Sequence, residues 1–188
     1  MSIVLQGSTS GSVTLQEPAI AGSTVLTLPA VSGTVLTTTS PKAGNVIQVV
    51  QSVYSTQVQI SSTSYQDTGL TASITPTSSS SKILVIVSQV CNIVILSNIS
   101  FNSSNNLVRG STQVYEQDIA LGMQAGTGSA GLIFNGSIVS MSYLDSPNTT
   151  SSTTYKTQSK ISTTASSAYV RFQDAGSDST ITLLEIAA

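Results

Sequence analysis

The chain has 188 residues, of which only 7% are charged, a net charge of −2 and a hydrophobic fraction of 39%. Intrinsic disorder requires low hydrophobicity together with high net charge, so this composition favours a folded chain. The six basic residues form no cluster, and the sequence therefore predicts no nucleic-acid partner. Good helix formers such as Glu, Lys and Arg are scarce, whereas Thr and Val suit pleated strands. The composition thus predicts an all-β protein.

The first predicted elements are short repeats that begin with glycine. Gly11, Gly22, Gly33 and Gly44 recur about every eleven residues, and each unit is a Val/Leu/Thr run closed by a proline or a small residue. Such a unit buries little surface alone and gains stability by stacking on neighbours or on other chains. Residues 1–43 are therefore predicted to form an extended assembly arm. Its candidate interface residues are the apolar side chains of the runs, namely Val13, Leu15, Val25, Leu26, Leu28, Val31, Val35 and Leu36.

Residues 44–188 are predicted to form one β-sandwich or jelly-roll-like body with about eight strands. In chain order, the strand-like patterns cover residues 46–53 (with a partial alternation continued by Val58 and Ile60), 65–75, 82–96, 108–119, 132–144, 153–161, 168–172 and 180–186. The segment 65–75 is predicted to bend at Gly69. The segment 132–144 is either one long strand or a hairpin that turns at Asn135 and Gly136.

The most apolar window, residues 82–96, is too short to span a bilayer and is interrupted by Gln89 and Asn92. We interpret it as a strand buried on both faces, with a break near Asn92 left open. No membrane partner is predicted.

The sequence offers little chemistry. It contains no His, which removes the commonest general base, the usual Ser and Cys triads and most zinc sites. Cys91 lies alone in the apolar window and is predicted to pack as a small buried hydrophobe. Glu116 and Asp118 would share a strand face, but no pattern places two carboxylates in an apolar cleft. We therefore predict a non-enzymatic protein with no catalytic, cofactor-binding or metal-binding residues.

Two segments resemble proteins of tailed-phage virions. Residues 22–40, GSTVLTLPAVSGTVLTTTS, resemble the N-terminal stretch of many phage fibre and virion-surface proteins. Residues 144–158, LDSPNTTSSTTYKTQ, followed by STITLLEI at 179–186, resemble a recurrent C-terminal motif of phage structural proteins. The resemblance implies a virion surface protein, made in the cytoplasm of the bacterial host, that forms an intertwined homotrimer with a β-rich body. It carries over no catalytic residue.

The chain has a short arm and no long shaft, so the resemblance best fits a trimeric capsid cement (decoration) protein seated on the head shell by its arms. Its partners would be sister copies and the major capsid protein or another virion protein. The alternative is a short tail fibre or tail adaptor that binds a host glycan. In that alternative the binding loops would be 102–106 or 122–131. A small polar groove could also use the six tyrosines, for which core or interface packing is the favoured interpretation: Tyr54, Tyr65, Tyr115, Tyr143, Tyr155 and Tyr169.

Overall fold

A computed structural model describes residues 3–6, 8–15, 30, 42–95, 102–119 and 133–188, and within them the protein is all-β, as predicted. The chain divides into two compact units, residues 1–35 and residues 36–188. The described part of the first unit contains an antiparallel hairpin of β1 (Ile3–Gln6) and β2 (Ser12–Leu15). Gly11, at the end of the connection between them, has a φ of 78°, a backbone angle that favours glycine.

The described part of the second unit contains the other strands that the structure describes. Short 3-10 turns at Ala165–Ser167 and Asp174–Gly176 flank its penultimate strand. In chain order the strands are β3 (Val46–Tyr54), β4 (Val58–Ile60), β5 (Gln66–Ile74), β6 (Lys82–Ile95), β7 (Ser103–Arg109), β8 (Thr112–Ile119), β9 (Ile133–Asp145), β10 (Thr153–Ile161), β11 (Tyr169–Phe172) and β12 (Ser179–Ile186).

These strands form two antiparallel sheets, consistent with the predicted sandwich. The four-stranded sheet has the order β5-β10-β7-β8. The six-stranded sheet has the order β3-β12-β6-β11-β4, and β9 pairs with the other edge of β6. The first half of β6 pairs with β12, its second half pairs with β11, and nearly its whole length pairs with β9. Within the described residues, the central strand is therefore β6, and β9 lies at an edge of the sheet.

The hydrophobic core lies between the sheets and is built from alternate residues of the strands. On β6, Ile83, Val85 and Val87 are fully buried, whereas Ile86 between the last two is 41% exposed. The prediction that this strand is buried on both faces is therefore wrong for its first half. Its outer face is covered by no other described layer, so the strand alternates as antiparallel strands do. The strand also runs through Asn92 without a break.

The predicted bend at Gly69 is confirmed as a bulge in β5. The register against β10 shifts between Lys156 and Gln158, and Gly69 has a φ of 87°. The ring of Tyr54 lies directly against this glycine, where a Cβ atom would be 2.3 Å from Cε1 of the tyrosine. Both the backbone angle and the close approach therefore require glycine here.

The interior also contains a series of hydrogen-bonded polar side chains that links the two sheets. Gln89 on β6 donates from Nε2 to Oγ1 of Thr68 at 2.8 Å, and Thr157 donates from Oγ1 to Oε1 of Gln89 at 3.0 Å. Gln89, Thr68 and Thr157 are all at most 1% exposed. Buried polar groups are costly unless they are hydrogen-bonded. These hydrogen bonds therefore explain how a hydroxyl-rich sequence forms a stable core.

Two further sequence expectations differ from the structure. The hairpin alternative for 132–144 is wrong, because Gly136 pairs with Asn92 inside the continuous β6–β9 ladder. The polar stretch 102–106, expected as a loop, mostly belongs to β7, where Asn105 and Asn106 are 1% and 2% exposed. In both places long-range strand pairing outweighs a local turn or loop signal. The other expected loop, 122–131, lies outside the described residues.

Candidate functional site

The outer face of the six-stranded sheet carries a row of large apolar side chains across four strands. The register aligns Val49 on β3 with Leu184 on β12, Leu184 with Leu84 on β6, and Leu84 with Leu144 on β9. Val49 is 58% exposed and Leu144 is 49% exposed. We call these four residues the apolar row. Single exposed apolar residues are ordinary, but a contiguous set is typical of a surface that contacts another protein.

Further apolar residues lie on the same outer face of the sheet as the apolar row. On β3, β12, β6 and β9, the only charged residue that the structure places on this outer face is Lys82, at one end. The apolar face, as we call it, consists of the apolar row and the other apolar residues on this side of the sheet, between which lie uncharged hydroxyl and amide side chains: Val46, Val53, Ile86, Ile138 and Ile186. A face with so little charge has a low desolvation cost when another protein covers it.

The outer face of the four-stranded sheet is polar by contrast. Lys156 forms an ion pair with Asp67 at 2.8 Å, and Gln158 donates from Nε2 to the same carboxylate at 2.7 Å. Burial pushes the pKa of Asp67 upward, but these donors and the charge of Lys156 outweigh it and hold the pKa below its usual value. Nearby, Lys160 lies 4.4 Å from the ring centroid of Tyr65, whose hydroxyl donates to Glu116.

These residues border an open groove of about 710 Å³. We call it the polar groove, defined by residues 58–62, Tyr65, Gln66, Asp67, Lys156 and Gln158. Its amides, hydroxyls and carboxylate offer hydrogen-bond donors and acceptors, and Tyr65 adds an aromatic ring. The charges of Asp67 and Lys156 compensate each other, so the groove suits a neutral, hydroxyl-rich molecule better than a strongly charged one.

A partly buried ion pair lies elsewhere, where β7, β9 and β10 meet. Nη1 of Arg109 lies 2.8 Å from Oδ2 of Asp145, and the hydroxyl of Tyr155 donates to the same oxygen at 2.7 Å. Burial, the hydrogen bond to Asp145 and the negative charge of that residue raise the pKa of Tyr155. Asp145 and Tyr155 both belong to the segment 144–158, so this cluster gives that segment a structural role in joining three strands.

The residues proposed for the arm are only partly within the described chain. Val13 lies in β2 and is 63% exposed, and Leu15 is the last residue of that strand. The interface role of all eight stays a prediction, and six of them lie outside the described residues: Val25, Leu26, Leu28, Val31, Val35 and Leu36.

The structure separates most of the six tyrosines. Tyr54 packs on Gly69, Tyr155 is in the core, and the rings of Tyr115 and Tyr143 lie 5.7 Å apart. Tyr169 contacts Arg171, and Tyr65 alone lines the polar groove. Cys91 is buried, as predicted, and desolvation raises the pKa of its thiol to about 11.

Sequence reasoning missed both surfaces. The polar groove joins residues 58–67 to β10, about ninety residues later in the chain, and only the alternating polar pattern of β10 hinted at an exposed face. The apolar face had a local signal in the valines of β3, but valine in a strand does not reveal whether its side of the sheet is covered.

Among the described residues, no three His, Cys, Asp or Glu side chains are grouped as a metal site would require. None of the described helices has the length and apolar character needed to cross a membrane.

The sequence matches no protein-family model and no curated protein. Among solved structures, that of infectious bursal disease virus strain Gx is 12% identical, with a TM-score of 0.40 over 95% of this chain and 38% of the other. The VP2 subviral particle of the same virus is 12% identical, with a TM-score of 0.35 over 85% and 37%. Dimeric latent PorU of Porphyromonas gingivalis is 10% identical, with a TM-score of 0.32 over 78% and 14%. The chain thus spans well under half of each of these structures.

Proposed function

We propose that this protein is a non-enzymatic structural protein of a tailed-phage virion, and specifically a homotrimeric capsid cement protein that stabilises the head shell. The observation that carries the proposal is the apolar face. It leaves Val46, Val49 and Val53 more than half exposed along one edge of the sheet in the single chain. Contact with the shell would remove this surface from water, at about 25 cal/mol for each Å² of apolar area.

The arm is the second part of the proposal. In its hairpin, Val4, Leu5 and Val13 are 50%, 56% and 63% exposed. A two-stranded hairpin with uncovered apolar side chains is marginally stable by itself, which supports completion of the arm by a partner. Ordering the arm costs about 1–2 kcal/mol for each residue. Main-chain hydrogen bonds and apolar burial offset that cost, and three linked arms bind with higher avidity than one.

The test is incorporation into virions that lack this protein. Deletion of residues 1–40 removes most of the arm but keeps the turn at residues 42–45, where the N–H of Gly44 bonds to the carbonyl of Ala187. We expect a folded body, checked by circular dichroism, that no longer sediments with the particles. Val49→Lys places a charge in the apolar row and should also reduce incorporation. Thr112→Lys adds the same charge at an exposed position of β8 and should not reduce incorporation. Normal incorporation of the truncated chain would show that the arm does not anchor the protein.

The runner-up is a short tail fibre or tail adaptor that binds a host glycan, and the polar groove is the observation that favours it. Gln158→Ala and Asp67→Ala should then abolish saturable binding of the protein to host polysaccharide, while Thr112→Ala should leave it intact. Antibody labelling of virions separates the two functions. Label over the head supports a cement protein, whereas label restricted to the tail supports the fibre or adaptor.

A further inference from the structure

The outer edge of β9 lacks the features that usually prevent a sheet edge from pairing. Native edges are protected by charged residues, prolines or bulges. The four-stranded sheet follows this rule, since its edge strands β5 and β8 carry Asp67 and Glu116 and both show register shifts. In β9, by contrast, the register against β6 is continuous from Asp145 to Ile133. The sequence of β9 contains no proline, and its single charged residue, Asp145, is buried against Arg109.

Between residues 138 and 144, the outward side chains of β9 are also chemically symmetric. Ile138, Ser140, Ser142 and Leu144 share the outer face, because their partners on β6 belong to that face. The pattern is therefore apolar, hydroxyl, hydroxyl, apolar, in either direction along the strand. A two-fold axis makes two copies of one strand antiparallel. With the axis at Met141, Ile138 of one copy faces Leu144 of the other, and Ser140 faces Ser142.

We propose that β9 pairs with β9 of a second copy of this chain about a two-fold axis at Met141, which joins the two six-stranded sheets edge to edge. Ile138 and Leu144 are 63% and 49% exposed in the single chain. In this contact, Ile138 of each copy would cover Leu144 of the other. The apolar row would continue through Leu144 into the second copy. No described residue of β9 places like charges opposite each other in this register. The contact is separate from the arm and does not depend on the cement function.

A second copy fits this edge better than an unrelated strand. An unrelated partner would need only main-chain hydrogen bonds and would leave the symmetric order of side chains unexplained. In the two-fold register, Ile138, Ser140, Ser142 and Leu144 each meet a chemically matching residue, apolar on apolar and hydroxyl on hydroxyl, and such directly opposite pairs stabilise a sheet.

The first experiment tests the register with charges, using the full chain and sedimentation equilibrium. Ile138→Lys and Leu144→Glu should each weaken self-association about tenfold or more, because each places an unpaired charge against an apolar residue of the other copy. The double variant Ile138→Lys with Leu144→Glu should recover most of the association, since opposite charges then face each other across the axis. These two positions are six residues apart in one strand, so the two charges cannot pair within a single copy. Recovered self-association would therefore come from pairing between copies. Thr112→Lys, at an exposed position of edge strand β8 in the four-stranded sheet, is the matched control.

The second experiment tests the same register by disulfide formation. Ser140→Cys and Ser142→Cys proteins are prepared separately, mixed and oxidised with diamide. Directly opposite Cβ atoms lie about 4.5–5.5 Å apart, near the separation a disulfide needs, whereas diagonal positions lie about 7–8 Å apart. The mixture should therefore cross-link strongly and each variant alone weakly. Cys91 should not interfere, because it is buried and its thiol pKa is raised to about 11. Equal cross-linking in all three samples, or unchanged self-association of Ile138→Lys, would overturn the proposal.

Discussion

Glu185 on β12 is fully buried, and its carboxylate accepts three hydrogen bonds from two other parts of the body. Nε2 of Gln48 donates to Oε2 at 2.6 Å, and the N–H and hydroxyl of Thr77 each donate to Oε1 at 2.7 Å. Burial pushes the pKa of Glu185 upward, but the surrounding hydrogen bonds outweigh it and hold the pKa below its usual value. The anion therefore fixes β3 and the loop after β5 against β12.

Glu185→Gln is the sharpest perturbation of this arrangement. The remaining oxygen can keep both bonds from Thr77, but the new amide nitrogen faces Nε2 of Gln48, which is itself a donor. Gln48 cannot simply turn its amide, because Nε2 also donates to the carbonyl of Thr75 at 2.7 Å. One charge-assisted bond is lost and one buried donor is left unpaired, at a cost of about 1–3 kcal/mol. In a chain of this size, each kcal/mol lowers Tm by about 2–4 °C.

The pH dependence has a definite sign. Because the folded pKa of Glu185 lies below the unfolded value of about 4.3, its contribution to stability is complete above that pH. The contribution is lost as pH falls through the folded pKa. The free energy of unfolding of the native protein should therefore decrease more steeply below about pH 4.3 than that of Glu185→Gln. The gap between the two proteins should narrow in acid.

Urea unfolding, followed by far-ultraviolet circular dichroism between pH 7 and pH 3, measures both effects. Circular dichroism is the suitable signal because the chain contains no Trp. The matched control is Asp178→Asn, which neutralises an exposed carboxylate and should change stability by less than about 0.5 kcal/mol. An unchanged urea midpoint for Glu185→Gln at pH 7, together with an unchanged pH profile, would refute the argument that this anion holds three segments together.

Three further predictions concern the interior. Gly69→Ala should destabilise the body by more than the matched Gly110→Ala: both glycines have positive φ, but only at Gly69 would a Cβ meet a ring, 2.3 Å from Tyr54. Thermal unfolding compares Gly69→Ala, which combines backbone strain with a clash, and Gly110→Ala, which has backbone strain alone. Equal losses of stability in the two variants would contradict the close approach of Tyr54 to Gly69. Tyr155→Phe should cost about 1–3 kcal/mol in urea unfolding, because the buried carboxylate of Asp145 loses a donor. An unchanged midpoint would mean that this bond contributes nothing. Cys91, with a thiol pKa of about 11, should react with a disulfide reagent at pH 8 only after urea unfolds the protein. Rapid labelling of the native chain would disprove its burial.

Several elements could be predicted from the sequence because their signals are local. The strands β3, β10 and β12 show alternation with period two, and the structure places them within one or two residues of the predicted bounds. Glycine at position 69 marked a real bulge, since positive φ is a property of that single residue. The burial of Cys91 followed from its apolar neighbours.

Other features could not be predicted, because they depend on residues far apart in the chain. The polar sequence of β7 resembles a loop, yet β7 is a strand because β8 and β10 supply backbone partners on both sides. The Asn135-Gly136 pair resembles a turn, yet β6 holds it extended in a thirteen-residue strand. The polar groove likewise exists only because β5 and β10 are neighbours in one sheet.

The sequence alone determined the class of this protein: few charges, many hydroxyl and β-branched residues and regular alternation permit strands and little else. Tertiary structure decided which strands pair, and therefore which faces stay exposed. Alternation specifies that a strand has two different faces, because successive side chains point to opposite sides. It does not specify what covers either face. The apolar face and the edge of β9 that no described strand pairs thus follow from the order of strands in the sheet, which long-range hydrogen bonds and burial select.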